Sequence, residues 1–473
     1  MSTPIARDPG PAPALVYDIV VRVMDLCGAH DDYALLARAA RVSWEWNRAA
    51  TRVLYARVVV APPFKAGLDL RDRGAVPESS NFISASLPRN APYVLSLEIS
   101  GYTPTRPPPR NALAEALPSA LGAFVNLRTV VFAPATYHAE LFTAPLGVLL
   151  NSHTLTELTA NAACADDAHA PQLVQLGGLR ALTLLSPGRA VLELLPDWLA
   201  RLAGTLEELH LKDNCGSVTP GVLRALVPHI STNVAALTLG LSYSLDDADV
   251  CAFLGALTAL RSVDLRYYWQ MRRAPRPPAL HALRTFSAGC PPLGSARELA
   301  DLGVWVRRTV GGAEALRVLR LRSADDVPPP RAPDGLLDHV ARRHAGLRVL
   351  DLGAACVRLR RLKDVLKFCT ALEEVCVGVD RRVLDVFAKA SAHLVHLHTA
   401  ALWVSNTPRA WGAAELEAKA RTLLATGPPA LRRVAINDRR WEAYWLVAPT
   451  GDMELVVRQA EVLLPPWWRA VDG

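Results

Sequence analysis

The feature that most constrains this chain is a short apolar signature, two residues apart at its end and three at its start, that returns again and again. It is clearest at Leu347, Leu350 and Leu352. Earlier copies stand at Val94/Leu97/Ile99, Leu127/Val130/Phe132, Leu155/Leu158/Ala160, Leu179/Leu182/Leu184, Leu206/Leu209/Leu211 and Val234/Leu237/Leu239. The series runs on through Leu260/Val263/Leu265, Leu283/Phe286/Ala288, Leu316/Leu319/Leu321, Leu372/Val375/Val377, Leu394/Leu397/Thr399 and Leu431/Val434/Ile436. The last two apolar positions of each copy lie on one face of an extended chain, so every copy reads as a short strand with one face to bury.

From Val94 to Leu431 the copies recur with a mean period of about 28 residues, in the range of leucine-rich repeats. Between them lie segments of helical length and spacing: 111–124, 137–150, 191–202, 219–230, 246–257, 296–308, 334–344, 360–369, 382–392 and 413–424. Asn111, Thr219, Asp246 and Asp334 stand where capping residues are expected. Strand, turn and helix repeating in one sense predict an α/β solenoid, a horseshoe with its parallel sheet inside and helices outside. Proline-rich breaks at 103–110, 274–278 and 327–333 are expected to loop out at the rim as tolerated insertions.

The ends differ from the middle. Residues 1–12 carry Pro4, Pro9, Gly10 and Pro11 and are expected to be disordered. Residues 13–56 read as three helices, with Leu15, Ile19, Val23 and Leu26 on the first, Leu35, Leu36, Ala39 and Val42 on the second, and Trp46, Ala50, Val53 and Leu54 on the third. Strand character begins at Arg57, and the repeats are expected to fill 57–441. Beyond them, 442–473 are expected to form a C-terminal cap. There, Trp441–Val447 and Met453–Gln459 alternate as a hairpin, with Pro465-Pro466-Trp467-Trp468 after it.

Composition narrows the function classes. No run of 18 apolar residues occurs, and Leu15–Leu26 is broken by Asp18, Arg22 and Asp25, so neither a membrane span nor a secretory signal is expected. The eight cysteines are dispersed without a C-x-x-C pair, as suits free thiols in a reducing compartment, cytoplasmic or nuclear. The net charge is +7, but there is no run of basic residues to mark a nucleic-acid tail. No phosphate-cradling G-x-x-x-x-G-K, G-x-S-x-G or H-E-x-x-H motif is present, so no catalytic residue, cofactor or metal is assigned.

On the N-terminal helices, Leu15, Ile19 and Val23 take the apolar positions of the first helix of an F-box, and Val42, Ser43 and Trp46 match its V-S-x-x-W segment. The chain therefore resembles F-box proteins with C-terminal leucine-rich repeats of the fungal type. It departs at Pro11–Ala14, which reads Pro-Ala-Pro-Ala where the family has Leu-Pro-x-Glu. The resemblance implies a substrate-recognition subunit of an SCF-type (Skp1–cullin–F-box) ubiquitin ligase. Its N-terminal helices would dock a Skp1-like adaptor, and through it a cullin, while the repeats hold a protein target. Leu15, Ile19, Val23, Val42 and Trp46 would carry or support that docking. A plain helical cap on the first repeat is the alternative for these helices.

For the target, the residues between the core leucines are expected on the concave face: Glu208, His210, Lys212, Asp264, Arg266, Arg320, Arg322, Val349, Asp351, Glu374, Cys376, His396, His398, Arg433 and Asn437. Thirteen strands at about 4.8 Å make an arc of roughly 60 Å, enough to seat a protein. Tyr267, Tyr268 and Trp269 are expected to follow their strand onto the rim. Arg266, Tyr268, Trp269, Arg320 and Arg322 are the expected target-binding residues, because Arg, Tyr and Trp anchor interfaces. Glu374 and Cys376 are expected beside His396 and His398, a patch of metal-ligating types, although separations of about 7 Å along a strand are wide for one ion. Two readings compete with the ligase subunit: a ligase-independent repeat scaffold, and a GTPase-activating repeat protein using an exposed arginine on a loop.

Overall fold

A computed structural model describes residues 17–29, 32–63, 81–105, 111–268, 277–291, 295–323, 331–405, 411–437, 439–447 and 452–460. The tail at 1–12, Leu15, the Pro-Ala-Pro-Ala segment, Trp269 and Pro465–Trp468 lie outside these, as does most of each proline-rich break. The chain divides into two compact units, 1–206 and 207–473.

The first unit opens with three helices, α1 (Tyr17–Ala29), α2 (Tyr33–Ala39) and α3 (Trp44–Leu54), which close on a small core of Val20, Met24, Leu36, Ala39, Ala49 and Ala50. The chain then enters β1 (Arg57–Val60) and passes through α4 (Phe82–Ala85), β2 (Ser96–Tyr102), α5 (Ala112–Ala123), β3 (Thr129–Thr136), α6 (Glu140–Leu149), β4 (Glu157–Asn161), α7 (Ala170–Leu173), β5 (Ala181–Leu185) and α8 (Arg189–Leu202). The strands β1 to β5 pair in parallel and in chain order. Their register stacks the signature: Val58 opposes Leu97, Leu97 opposes Val130, Val130 opposes Leu158 and Leu158 opposes Leu182.

In the second unit the same path continues as β6 (Glu208–Asn214), α9 (Pro220–Ile230), β7 (Ala236–Leu241), α10 (Asp247–Ala256), β8 (Ser262–Arg266), β9 (Thr285–Cys290), α11 (Ala296–Val310), β10 (Val318–Ser323), α12 (Asp334–Arg343) and β11 (Val349–Cys356). It ends as α13 (Leu359–Phe368), β12 (Glu374–Asp380), α14 (Arg381–Ser391), β13 (Thr399–Ser405), α15 (Ala413–Thr426), β14 (Arg433–Ile436), β15 (Arg439–Val447) and β16 (Met453–Gln459). From β6 to β14 all pairs are parallel, with Leu209, Leu237, Val263, Phe286, Leu319, Leu350, Val375, Ala400 and Val434 in one cross-strand row. Every member of that row is buried. A fully buried Val, Leu or Phe contributes about 1.5–3 kcal/mol, so the row alone holds each repeat to its neighbours. Among the described residues no helix joins β8 to β9, in line with the proline break expected there.

Caps fix where several helices begin. Asn111, Thr219 and Asp246 accept from the backbone N–H three residues on, and Asp246 forms a reciprocal box with Asp249. Ser295 and Glu298 make a second such box at α11. Asp334 is not a cap: it lies inside the first turn of α12, Pro333 takes the capping position, and the carboxylate pairs instead with Arg358 at 2.7 Å. The repeats end where β15 turns back antiparallel on β14 and β16 pairs antiparallel with β15, the hairpin the alternation predicts.

One strand sits three residues later than the sequence suggests. Thr399 opposes Glu374 and Ala400 opposes Val375, so the true signature is Leu397/Ala400/Leu402, with alanine in the middle place. Leu394 and Leu397 imitate its start because both are fully buried in the turn before the strand.

Candidate functional site

Two surfaces stand out, one in each unit. In the three-helix unit, Ser43 explains its own place in the V-S-x-x-W segment: its hydroxyl caps α3 by accepting from the Trp46 N–H at 3.4 Å. The same hydroxyl donates to Glu45 at 2.8 Å, and that bond holds the Glu45 carboxyl below its usual range. Trp46 packs against the core of the unit, half-buried, whereas Trp44 is 70% exposed. Arg48 reaches over both exposed Trp44 and half-buried Tyr17, with ring centroids 5.6 and 5.8 Å away.

On α1 the buried side is Val20 and Met24. Ile19, Val23 and Leu26 form a second apolar stripe at helical spacing, and it faces solvent at 50%, 40% and 51% exposure. Val42, in the turn before α3, is 65% exposed. Of the residues expected to dock an adaptor, Ile19, Val23 and Val42 thus present apolar surface, whereas Trp46 packs against the core of the three helices. Trp44 and Leu26 belong to the same kind of surface and were not signalled by the motif.

The second surface is the face of the β6–β14 sheet that carries no helices. Its middle row reads His210, Thr238, Asp264, Ser287, Arg320, Asp351, Cys376, Ala401 and Ala435, each opposite the next. His210 Nδ1 lies 2.8 Å from the Thr238 hydroxyl. Arg320 is only 8% exposed and Asp351 6%. Burial pushes the Asp351 carboxyl up, against the Gly353 N–H that donates to it at 2.9 Å, the Cys376 thiol, and the charges of Arg322 and Arg320. Cys376 beside it is pushed up in turn by its own burial and by Asp351. Arg320 is therefore a buried member of the row, whereas Arg322 is half-exposed and Arg266 exposed.

In the adjoining row Arg266 opposes Gly289 and Gly289 opposes Arg322. The Arg266 side chain lies across the glycine: a Cβ on residue 289 would stand 2.3 Å from its Nη1 and 2.9 Å from its Cζ. At the rim, Tyr268 hydrogen-bonds the Leu245 carbonyl and meets the exposed Tyr243 edge-on, with centroids 5.4 Å apart. Tyr267 is not on the rim. It is 5% exposed, turned to the helix side against Trp305, because it is the next residue after Arg266 in the strand alternation.

The expected patch of Glu374, Cys376, His396 and His398 does not form. The shift of β13 places Thr399 and Ala401 opposite Glu374 and Cys376, leaving His396 exposed in the preceding turn and His398 just before the strand, against the Thr399 hydroxyl at 3.0 Å. Among the described residues no group of three or more His, Cys, Asp or Glu is placed to hold a metal. None of the eight cysteines forms a disulfide. Among the described residues no helix is long and apolar enough to cross a membrane.

No protein-family model matches the sequence, and no curated protein matches it. Among solved structures, the crystal structure of the Rad7 and Elc1 complex in yeast is similar at 14% identity and a TM-score of 0.39, over 68% of this chain and 81% of that one. The crystal structure of a TLR13–ssRNA13 complex gives 14% identity and a TM-score of 0.33, over 73% of this chain and 53% of that one. At that overlap the chain spans about half of the second neighbour's length. The described architecture stands on its own register: parallel strands in chain order, a helix after most of them, and a stacked apolar signature together make a leucine-rich-repeat-like fold.

Proposed function

We propose that this chain is a non-enzymatic substrate-recognition subunit of an SCF-type ubiquitin ligase. Its three N-terminal helices dock a Skp1-like adaptor that leads to a cullin, and the open face of its second unit holds a protein target. One observation carries the reading. The three helices already have a closed core, yet they leave Ile19, Val23, Leu26, Val42 and Trp44 in solvent. A helical cap serving only to cover the first repeat has no use for a second apolar stripe, since such surface costs solubility unless a partner buries it. Apolar side chains of this size, buried at an interface core, are the kind that fix a docking partner.

The transfer chemistry belongs to other subunits in this reading, and the chain needs no cofactor. Co-expression with a Skp1-like protein tests it directly. The full chain is expected to co-purify with the adaptor, and Ile19→Asp with Val42→Asp is expected to abolish co-purification while the helical circular dichroism stays unchanged. If the adaptor never co-purifies with the wild-type chain, the ligase reading falls and the ligase-independent scaffold takes its place.

A further inference from the structure

We propose that β16 pairs antiparallel with β16 of a second copy of this chain, about a two-fold axis at Val456. β16 (Met453–Gln459) closes the strand order, and among the described residues no strand lies on its outer side. Such an edge is a template for another strand unless something spoils it. β16 has no proline, no lysine and no register shift against β15.

The backbone sets the register. The Ala460 N–H donates inward to the Arg440 carbonyl at 3.0 Å, so by the alternation of an antiparallel ladder Arg458, Val456 and Glu454 also bond to β15. Met453, Leu455, Val457 and Gln459 then turn their N–H and C=O groups outward. Arg421 of α15 agrees with that direction: it reaches the Val457 carbonyl at 3.5 Å, while its shorter bonds go to Glu417 at 2.9 and 3.1 Å. The carbonyl keeps a lone pair for a second donor. A two-fold axis at Val456 sets Leu455 against the partner's Val457 and Met453 against the partner's Gln459, so every outward group meets another outward group. Slipping by one residue sets outward groups against inward ones.

The side chains select the same register. Glu454 falls opposite the partner's Arg458 and Arg458 opposite the partner's Glu454, at the positions between hydrogen-bonded pairs where side chains come closest. Slipping by two residues parts both pairs and shortens the overlap. On that face Arg458 lies over its own Tyr444 ring, 5.2 Å from the centroid, and opposite Glu442, which pairs with Arg440 and lies 4.0 Å from Arg433. The other face buries Trp441, Ala443 and Val457 but leaves Trp445, Val447 and Met453 exposed at the end of the hairpin. There the pairing carries the row Trp445–Leu455 on into the partner's Val457 and Ala443. Each contact is made twice, as a two-fold interface requires. One strand edge is a small contact, so association is expected to depend on concentration.

Sedimentation of the purified full chain over a concentration series tests the pairing, which stands apart from the ligase reading and needs no adaptor or target. Wild type is expected to move from the mass of one chain to that of two. Leu455→Pro removes an outward N–H and leaves the bonds to β15, so it should weaken dimerisation about tenfold with an unchanged melting curve. Glu454→Arg and Arg458→Glu each set like charges opposite one another twice, and each should weaken it about tenfold. Mixed in equal amounts, these two charge variants are expected to pair with each other at about wild-type strength, which a misfolded hairpin would not allow. A full chain that stays monomeric up to about 0.1 mM overturns the pairing and leaves the edge to residues 461–473 or to a different protein. A dimer indifferent to Leu455→Pro and to both charge variants overturns the assignment of β16. A mixture no tighter than either variant alone overturns the register.

Discussion

Acid should loosen the second unit through one histidine. His344 closes α12, is 3% exposed, and has neither ring nitrogen hydrogen-bonded. Its ring meets that of His339 edge-on at 5.2 Å, and the Cys369 thiol donates to its backbone carbonyl at 3.6 Å. Burial first, then the neighbouring His339 and Arg343, push it down from 6.5 to about 4. Because the folded value lies below the unfolded one, the unfolded chain binds the proton more tightly. The neutral form's contribution is therefore complete above pH 6.5 and drains away as pH falls toward 4. At about 1.4 kcal/mol per pH unit, the interval is worth about 3 kcal/mol, of which about 2.5 is lost by pH 4.5. His344→Phe keeps the ring and removes the titration. Urea unfolding at pH 7 and pH 4.5, read by circular dichroism, should show wild type losing about 2.5 kcal/mol more than the variant. Equal losses would refute the assignment of a buried, neutral His344, since the other histidines are common to both proteins.

Other outcomes can be checked alongside. Leu350→Asp puts a carboxylate at a 1% exposed site in the middle of the stacked row, and the cost of several kcal/mol should unfold neighbouring repeats together in a thermal melt. Trp46→Ala should lower the stability of the three-helix unit by about 3 kcal/mol or less, given its half-burial, whereas Trp44→Ala should leave it unchanged and weaken adaptor capture. Asp247→Ala strands the buried Trp305 N–H, which now donates to it at 2.9 Å, and should cost about 1–3 kcal/mol in denaturant titration.

The repeat was legible because its physics is local. An apolar pair two residues apart, followed by a helix-length amphipathic segment, can bury its face only by stacking on a copy of itself, so the sequence determines strand, helix and neighbour without reference to anything distant. The caps at Asn111, Thr219 and Asp246 are equally local, a side-chain oxygen within reach of its own helix. The terminal hairpin was readable for the same reason, from its period of two. Asp334 shows the limit, since its choice between capping α12 and pairing with Arg358 depends on the next repeat.

What the tertiary structure decided depends on comparing neighbours. Leu394 and Leu397 look like a strand signature, and only pairing with β12 shows that Ala400 takes the middle place, which carries His396 and His398 away from Glu374 and Cys376. Helical spacing picks out Ile19, Val23 and Leu26 as the apolar positions of the first helix, but closure against α3 buries Val20 and Met24 instead and leaves those three in solvent. Trp44 and Trp46 are separated in the same way by which side of α3 meets the core. Arg266, Arg320 and Arg322 read as three equal surface charges in the sequence. The sheet makes them unequal, because a guanidinium's exposure is set by the residues opposite it on the adjoining strands: Gly289 gives Arg266 room to lie flat and open, and Ser287 and Asp351 enclose Arg320.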